Sequence, residues 1–310
     1  MGAGLVDATT WPQGHNLATD GTRSEARGTT TMSAPDLPLA ELEALLSKRS
    51  ATVAEGIRRV VKDLRPCVRL ETSRASAFPS RGRRLDRFLR RPAPTPVLPA
   101  TTSKFGGRPY CEHPSELQGG PFLGQSNFAE ASKSLASEGV AIPEGMPPTG
   151  LLAVDLVPGS LTGRVRWYPR PREEAAVPAV GCNVVSKYEA AIAFRGSWSL
   201  RGLEWFDAIP TDDDELWDWM NDLEVPGVDE DAYGGHKLFG HPNEALNEHD
   251  GLRPVAGRSD SIRDYALVWR IDCDKAAGLS WGTNWLYVVI HQHDLARGAF
   301  ENAILTAANA

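Results

Sequence analysis

From residue 122 onward the chain is dominated by short apolar runs, each bounded by Gly, Pro, Asn or Asp, and this pattern constrains the fold towards a sheet. The runs are 122–128, 150–157, 164–168, 189–194, 265–272 and 285–291. One helical pattern interrupts them. Thr211 caps it, Asp212, Asp213 and Asp214 suit its positive N-terminal end, and Leu216, Met220 and Leu223 form the apolar stripe. Strands in the majority, with helices set apart, predict an α+β fold that is predominantly antiparallel β and roll-like. The run 122–128 also resembles 267–273, and each is followed by a turn-rich insert and an apolar strand, 151–155 and 286–290. Two such pairs would suit a duplicated sheet, against the plain reading that amphipathic strand pairs look alike.

The N-terminal part reads differently. Residues 1–35 hold seven Thr and five Gly without hydrophobic periodicity, which predicts a disordered tail, with Met1 and Met32 both admissible as the start. Residues 36–102 read as a helical region. Leu39, Leu42, Leu45 and Leu46 give one helix behind Asp36. A second starts at the capping box Thr52 to Glu55, with Val53, Ile57, Val60, Val61 and Leu64 as its stripe. Cys67 to Thr72 alternates and reads as a short strand. An Arg-rich segment, 81–91, carries six Arg and one Asp, and Pro92, Pro94, Pro96 and Pro99 make a stiff connector to a β-rich domain over 103–310.

Composition narrows the function classes. A hydrophobic share of 41% and a charged share of 24% can build a core. The net charge of -7 argues against a nucleic-acid partner, and the Arg-rich segment reads as a solvated or docking face. Cys67, Cys111, Cys182 and Cys273 show no CxxC spacing, so reduced thiols and a cytoplasmic location are expected. No apolar run approaches the roughly 20 residues of a transmembrane helix, and no signal peptide is visible, so no membrane association is expected.

Several strings invite chemistry. His291 and His293 lie two apart on a predicted strand, which turns both to one face, but no HExxH or Cys/His spacing supports a metal. Ser103 to Gly107 sets Lys104 beside a serine and two glycines. Gly234 to Pro242 gathers His236, Lys237 and His241 around glycines that could approach a ligand or form an anion nest. Neither string has a nucleotide-loop or catalytic-triad pattern, so no cofactor is implied, and both also read as ordered turns in which Gly106 or Gly240 takes a positive φ. The acidic stretch 211–231 holds ten carboxylates and no Lys or Arg. Asp213, Asp218 and Asp222 are its candidate partner-binding residues, facing solvent while the stripe faces inward.

Three strings together carry a family resemblance. They are Ser103 to Tyr110 followed by Pro121 to Phe128; His236 to Pro242; and Trp269 to Asp272, Gly278 to Gly282, Leu286 to Ile290, Asp294-Leu295 and Phe300. In order and spacing, from about 103 to 305, the chain resembles the YwqG-like family, also known as domain of unknown function 1963. It departs from the family pattern at Thr283, Asn284 and Trp285, and near Leu246 and Asn247. The resemblance implies a largely β roll, no agreed activity, and a bacterial setting in which some members neighbour toxin–immunity genes. The expected function is therefore a cytoplasmic binding protein, immunity-like, that recognises a basic protein partner. The alternative is a small-molecule-binding protein or enzyme with a site near Lys104, His236 and Lys237, with His241 as a further ligand-binding candidate.

Overall fold

In the computed structural model the described residues are 54, 55, 58 and 62, then 65–77, 98–177, 183–186, 188–199, 235–241, 264–281 and 284–309. Ten strands follow in order: β1 (Arg65–Ala77), β2 (Lys104–Phe105), β3 (Phe122–Asn127), β4 (Leu151–Leu156), β5 (Gly163–Tyr168), β6 (Tyr188–Ser199), β7 (His236–Leu238), β8 (Tyr265–Ile271), β9 (Asn284–His291) and β10 (Ile304–Asn309). Two α-helices join them, α1 (Phe128–Glu138) after β3 and α2 (Gln292–Ala296) after β9. The spatial order is β1-β6-β2-β3-β4-β5-β10-β9-β8-β7, and β7 pairs back to β1. All the strand pairings are antiparallel, and the sheet closes on itself.

The fold is thus a closed ten-stranded antiparallel barrel, not the expected α+β roll. Strand periodicity cannot reveal this. The six runs read as strands lie within or close to β3, β4, β5, β6, β8 and β9, but closure depends on β2 and β7, which span two and three residues and have no period to detect. Of the expected N-terminal helices, Ala54, Glu55, Arg58 and Lys62 are helical. The helix at 36–49, the acidic helix, the tail, the Arg-rich segment and most of the proline connector lie outside the described residues.

The core follows from the two-residue alternation of strands. Val68 and Leu70, Phe105, Leu152 and Val154, Ala190 to Phe194 at alternate positions, Trp269 and Ile271, and Leu286 to Ile290 at alternate positions join one continuous apolar cluster. This cluster draws on strands all around the barrel, so it fills the interior, which is a packed core and not a channel. Asn127 caps α1 by accepting the Ala129 N–H at 3.0 Å, and Gly139, in the left-handed region, ends it. Phe128, Ala131 and Leu135 of α1 are buried, and Phe128 meets Phe239 and Phe300.

The pairings repeat with a two-fold pattern. Lys104 and Phe105 face Gln125 and Gly124 on one side and Ala191 and Ala190 on the other. Lys237 and Leu238 likewise face Arg270 and Trp269, and Arg69 and Val68. Each half has a bulge at the matching place, between Phe122 and Gly124 and between Leu267 and Trp269. After each short strand the backbone turns the same way. Gly106 N–H donates to Leu123 O at 2.9 Å and Phe239 N–H to Val268 O at 3.2 Å. In this scheme β1 does for the second half what β6 does for the first, although it lies at the other end of the chain.

Candidate functional site

The two lysine strings occupy equivalent positions in the two halves, and their glycines are needed there. Gly106 has φ 63°, and a Cβ on it would lie 2.5 Å from the Tyr188 carbonyl oxygen. Gly240 has φ 80°, and a Cβ would lie 2.6 Å from the Ser199 Cβ. Both conditions exclude an ordinary side chain without strain.

Because neighbouring residues on a strand face opposite ways, the strings do not deliver their polar groups to one place. Lys104 is fully buried on the outer side of the barrel wall, whereas the adjacent Phe105 belongs to the interior. The Lys104 Nζ donates to the Pro99 carbonyl at 3.1 Å and lies 3.4 Å from the Glu189 carboxylate. Burial pushes its pKa down, against the pull of Glu189. Lys237 donates from Nζ to Ser199 Oγ at 3.1 Å, and the same hydroxyl accepts the His241 backbone N–H at 3.0 Å. Both residues are buried. Ser199 therefore pins the turn after β7 to the end of β6.

His236 is on the interior side, its ring 4.6 Å from that of Phe105. The Asp272 N–H donates to its Nδ1 at 3.0 Å, which leaves the proton on Nε2. That Nε2–H donates to Asp274 Oδ2 at 2.9 Å. Asp274 also accepts the Thr72 hydroxyl and, at 2.8 Å, the Ala277 N–H. Burial raises its pKa, but these donors outweigh burial and hold the carboxyl well below the usual range. Both imidazole nitrogens are thus engaged, so no lone pair is left to take a substrate proton. The arrangement ties β7 to β1 and to the 272–277 turn.

The folded state keeps Asp274 ionised to lower pH than the unfolded chain, in which a carboxyl titrates near 3.9. Its stabilisation should be complete above about pH 4 and fade as the pH falls further. Urea denaturation across this range checks the prediction. Asp274→Asn should lower stability at neutral pH, and the gap to the wild type should narrow on acidification. A gap that stays constant into acid would show that the carboxylate does not carry the effect.

A larger polar network was not legible in the sequence. Asp155 and Arg166 form a buried bidentate pair, with Nε–Oδ2 at 2.7 Å and Nη2–Oδ1 at 2.9 Å. Arg166 Nη1 donates to the Tyr110 carbonyl at 2.9 Å and the Tyr168 hydroxyl at 2.7 Å, and that hydroxyl donates to Glu116 Oε2 at 2.7 Å. Gln125 accepts the Tyr110 N–H at 2.8 Å and donates to the Thr102 carbonyl at 2.8 Å. The network clasps the 98–116 segment onto the outside of the barrel. Its sequence signals were a lone Asp in the apolar run 151–156 and an Arg in the run facing it.

The remaining candidates separate. His291 ends β9, but His293 is on α2, where its N–H donates to His291 Nδ1 at 3.1 Å. The two therefore do not share a strand face. Among the described residues no group of three metal-ligating side chains comes together, and no helix is long and apolar enough to cross a membrane. Of the described cysteines, Cys67 and Cys111 are buried and Cys273 is exposed. A cavity of about 730 Å³ touches none of Lys104, His236, Lys237 and His241. Asp213, Asp218 and Asp222 lie outside the described residues.

Comparison with curated proteins finds no match. The family model of a domain of unknown function, DUF1963, matches residues 103–308, which leaves out β1 although β1 completes the barrel. With two thirds of its length matched in this way, the chain belongs to the DUF1963 family.

Proposed function

We propose that this protein is a non-catalytic, cytoplasmic binding protein that recognises a basic protein partner, in the manner of a bacterial immunity protein. One observation carries the reading: the groups that would do chemistry are each committed to their neighbours. His236 has both nitrogens engaged, Lys104 is enclosed by Pro99 and Glu189, and Lys237 is held at Ser199. The interior is filled by side chains such as Trp269 and Phe105, which leaves recognition to the surface. The ten carboxylates of 211–231, with no Lys or Arg among them, supply a field for steering a cationic partner.

The test uses poly-lysine as the probe. Its association rate should fall steeply with salt, as the Debye length shrinks from about 10 Å at 0.1 M to about 3 Å at 1 M. Reversing Asp213, Asp218 and Asp222 to Lys should slow association without lowering the melting temperature, as expected of charges whose role is steering and not folding. A charge-matched control, with exposed Glu71, Glu174 and Glu301 reversed instead, should slow it much less. Equal rates for the two triple variants would sink the acidic-surface reading.

A further inference from the structure

The two halves of the barrel meet along two seams, and the seams are unequal. One is the β1–β6 ribbon, which runs through twelve residue pairs from Arg65–Ser199 to Ala77–Tyr188. The other joins β5 to β10 and has a single pair, Gly163 with Leu305. Each of these two strands has six residues, so length does not limit their pairing.

The backbone shows why the second ladder stops. Leu156 N–H donates to the Pro121 carbonyl at 2.8 Å, so it points to the β3 side. Its register partner Gly163 therefore turns N–H and C=O away from β4 and towards β10. By alternation Val165 does the same, and the antiparallel register would set Ala303 opposite it. Ala303 N–H instead turns back to the Phe300 carbonyl at 3.0 Å, closing the 3-10 turn Phe300–Asn302, and the next rung is lost. Side chains hold the seam in its place. Phe300 is buried, its ring 4.7 Å from that of Trp167 on β5 and 5.9 Å from that of Phe128 on α1, both in the first half. Phe300 itself is anchored to the second half, because Ala299 N–H donates to the carbonyl of Asp294, on α2 directly after β9, at 2.9 Å.

We propose that the barrel opens at the β5–β10 seam, its halves swinging apart on the β1–β6 ribbon, with Phe300 as the latch. Opening there breaks one ladder pair and the aromatic cluster around Phe128, leaves the ribbon intact, and admits solvent to the interior. Stability is not uniform across a fold, and the part with the fewest backbone bonds and the smallest packed contact opens first. The device is independent of the binding-protein reading above, and its test uses no partner.

Native-state hydrogen exchange of the full chain tests it. After correction for intrinsic rates, the Gly163 and Leu305 amides should exchange at least about tenfold faster than those hydrogen-bonded across β1 and β6. Two variants locate the opening. Phe300→Ala removes the latch from the closed state, and it should speed Gly163 and Leu305 about tenfold or more. Val68→Ala weakens the ribbon instead. Val68 is fully buried on β1, and it stays packed when only the far seam opens. This change should speed the β1–β6 amides about tenfold and leave Gly163 and Leu305 as they are. Equal rates at the two seams of the wild type, or a Val68→Ala effect of the same size at both, would mean that the barrel parts only by global unfolding, and the proposal would fall. Unchanged seam rates in folded Phe300→Ala would also overturn it. If Phe300→Ala does not fold, the wild-type and Val68→Ala comparisons decide.

Discussion

Arg166→Met is expected to cost about 3–5 kcal/mol of folding stability, because it strands the Asp155 carboxylate as a buried, uncompensated charge. Both side chains are almost wholly buried, and the guanidinium makes four hydrogen bonds at 2.7–2.9 Å, two to Asp155 and one each to Tyr110 and Tyr168. Burial opposes the charge on Arg166, but Asp155 holds the guanidinium protonated even more firmly than usual. The loss should spread along the network. Tyr168 loses a donor, and Glu116 loses one of the influences that keep its carboxyl below the usual range. The informative comparison is the double variant Asp155→Leu with Arg166→Met. Replacing both partners by apolar groups removes the unpaired charge, so most of the loss should return. Urea denaturation of the single and double variants measures this directly. A single variant that loses less than about 1 kcal/mol would show that the pair is open to water.

Trp269→Ala should be about as costly, at about 3–5 kcal/mol, through a cavity in the barrel interior. Trp269 is fully buried, and its ring stacks on Phe105 at 5.5 Å between centroids. The packing is closed on the far side as well, since a Cβ on Gly124 would lie only 2.6 Å from the Phe105 ring. The Trp269 Nε1 is buried without a hydrogen-bond partner, so truncation forfeits packing and no polar contact. Trp269→Phe should therefore lose much less than Trp269→Ala, because it keeps a ring against Phe105 and removes the unmet donor. Thermal or urea unfolding of the pair distinguishes the two outcomes. Equal losses for Ala and Phe would mean that the indole nitrogen, not the ring, carries the stability.

The strings at Ser103 to Gly107 and at His236 to Pro242 stood out in the sequence because glycine, lysine and histidine cluster there. Their roles were not local, however. Lys104 meets Glu189 from β6, and His236 meets Asp274, each partner far along the chain. Strand alternation then sends Lys104 and Phe105 to opposite sides of the wall, so adjacent letters in the sequence serve different environments. The Asp155–Arg166 pair was hidden for a related reason. A single charge in an apolar run indicates a buried partner but does not say which one, and the answer comes from the β4–β5 hairpin, where Ala153 faces Arg166 and Asp155 faces Arg164.

The sequence by itself determined where the chain can form strands. A two-residue period and turn-forming neighbours act locally, and they marked the β1, β3, β4, β5, β6, β8 and β9 regions and the two glycine turns. Only the tertiary structure decided that the sheet closes. Closure rests on β2 and β7, too short to show a period, and on the pairing of β1 with β7, which lies more than half the chain away. Such pairings have no local signature, because a strand's pattern shows which face it buries but not which neighbour completes its hydrogen bonds.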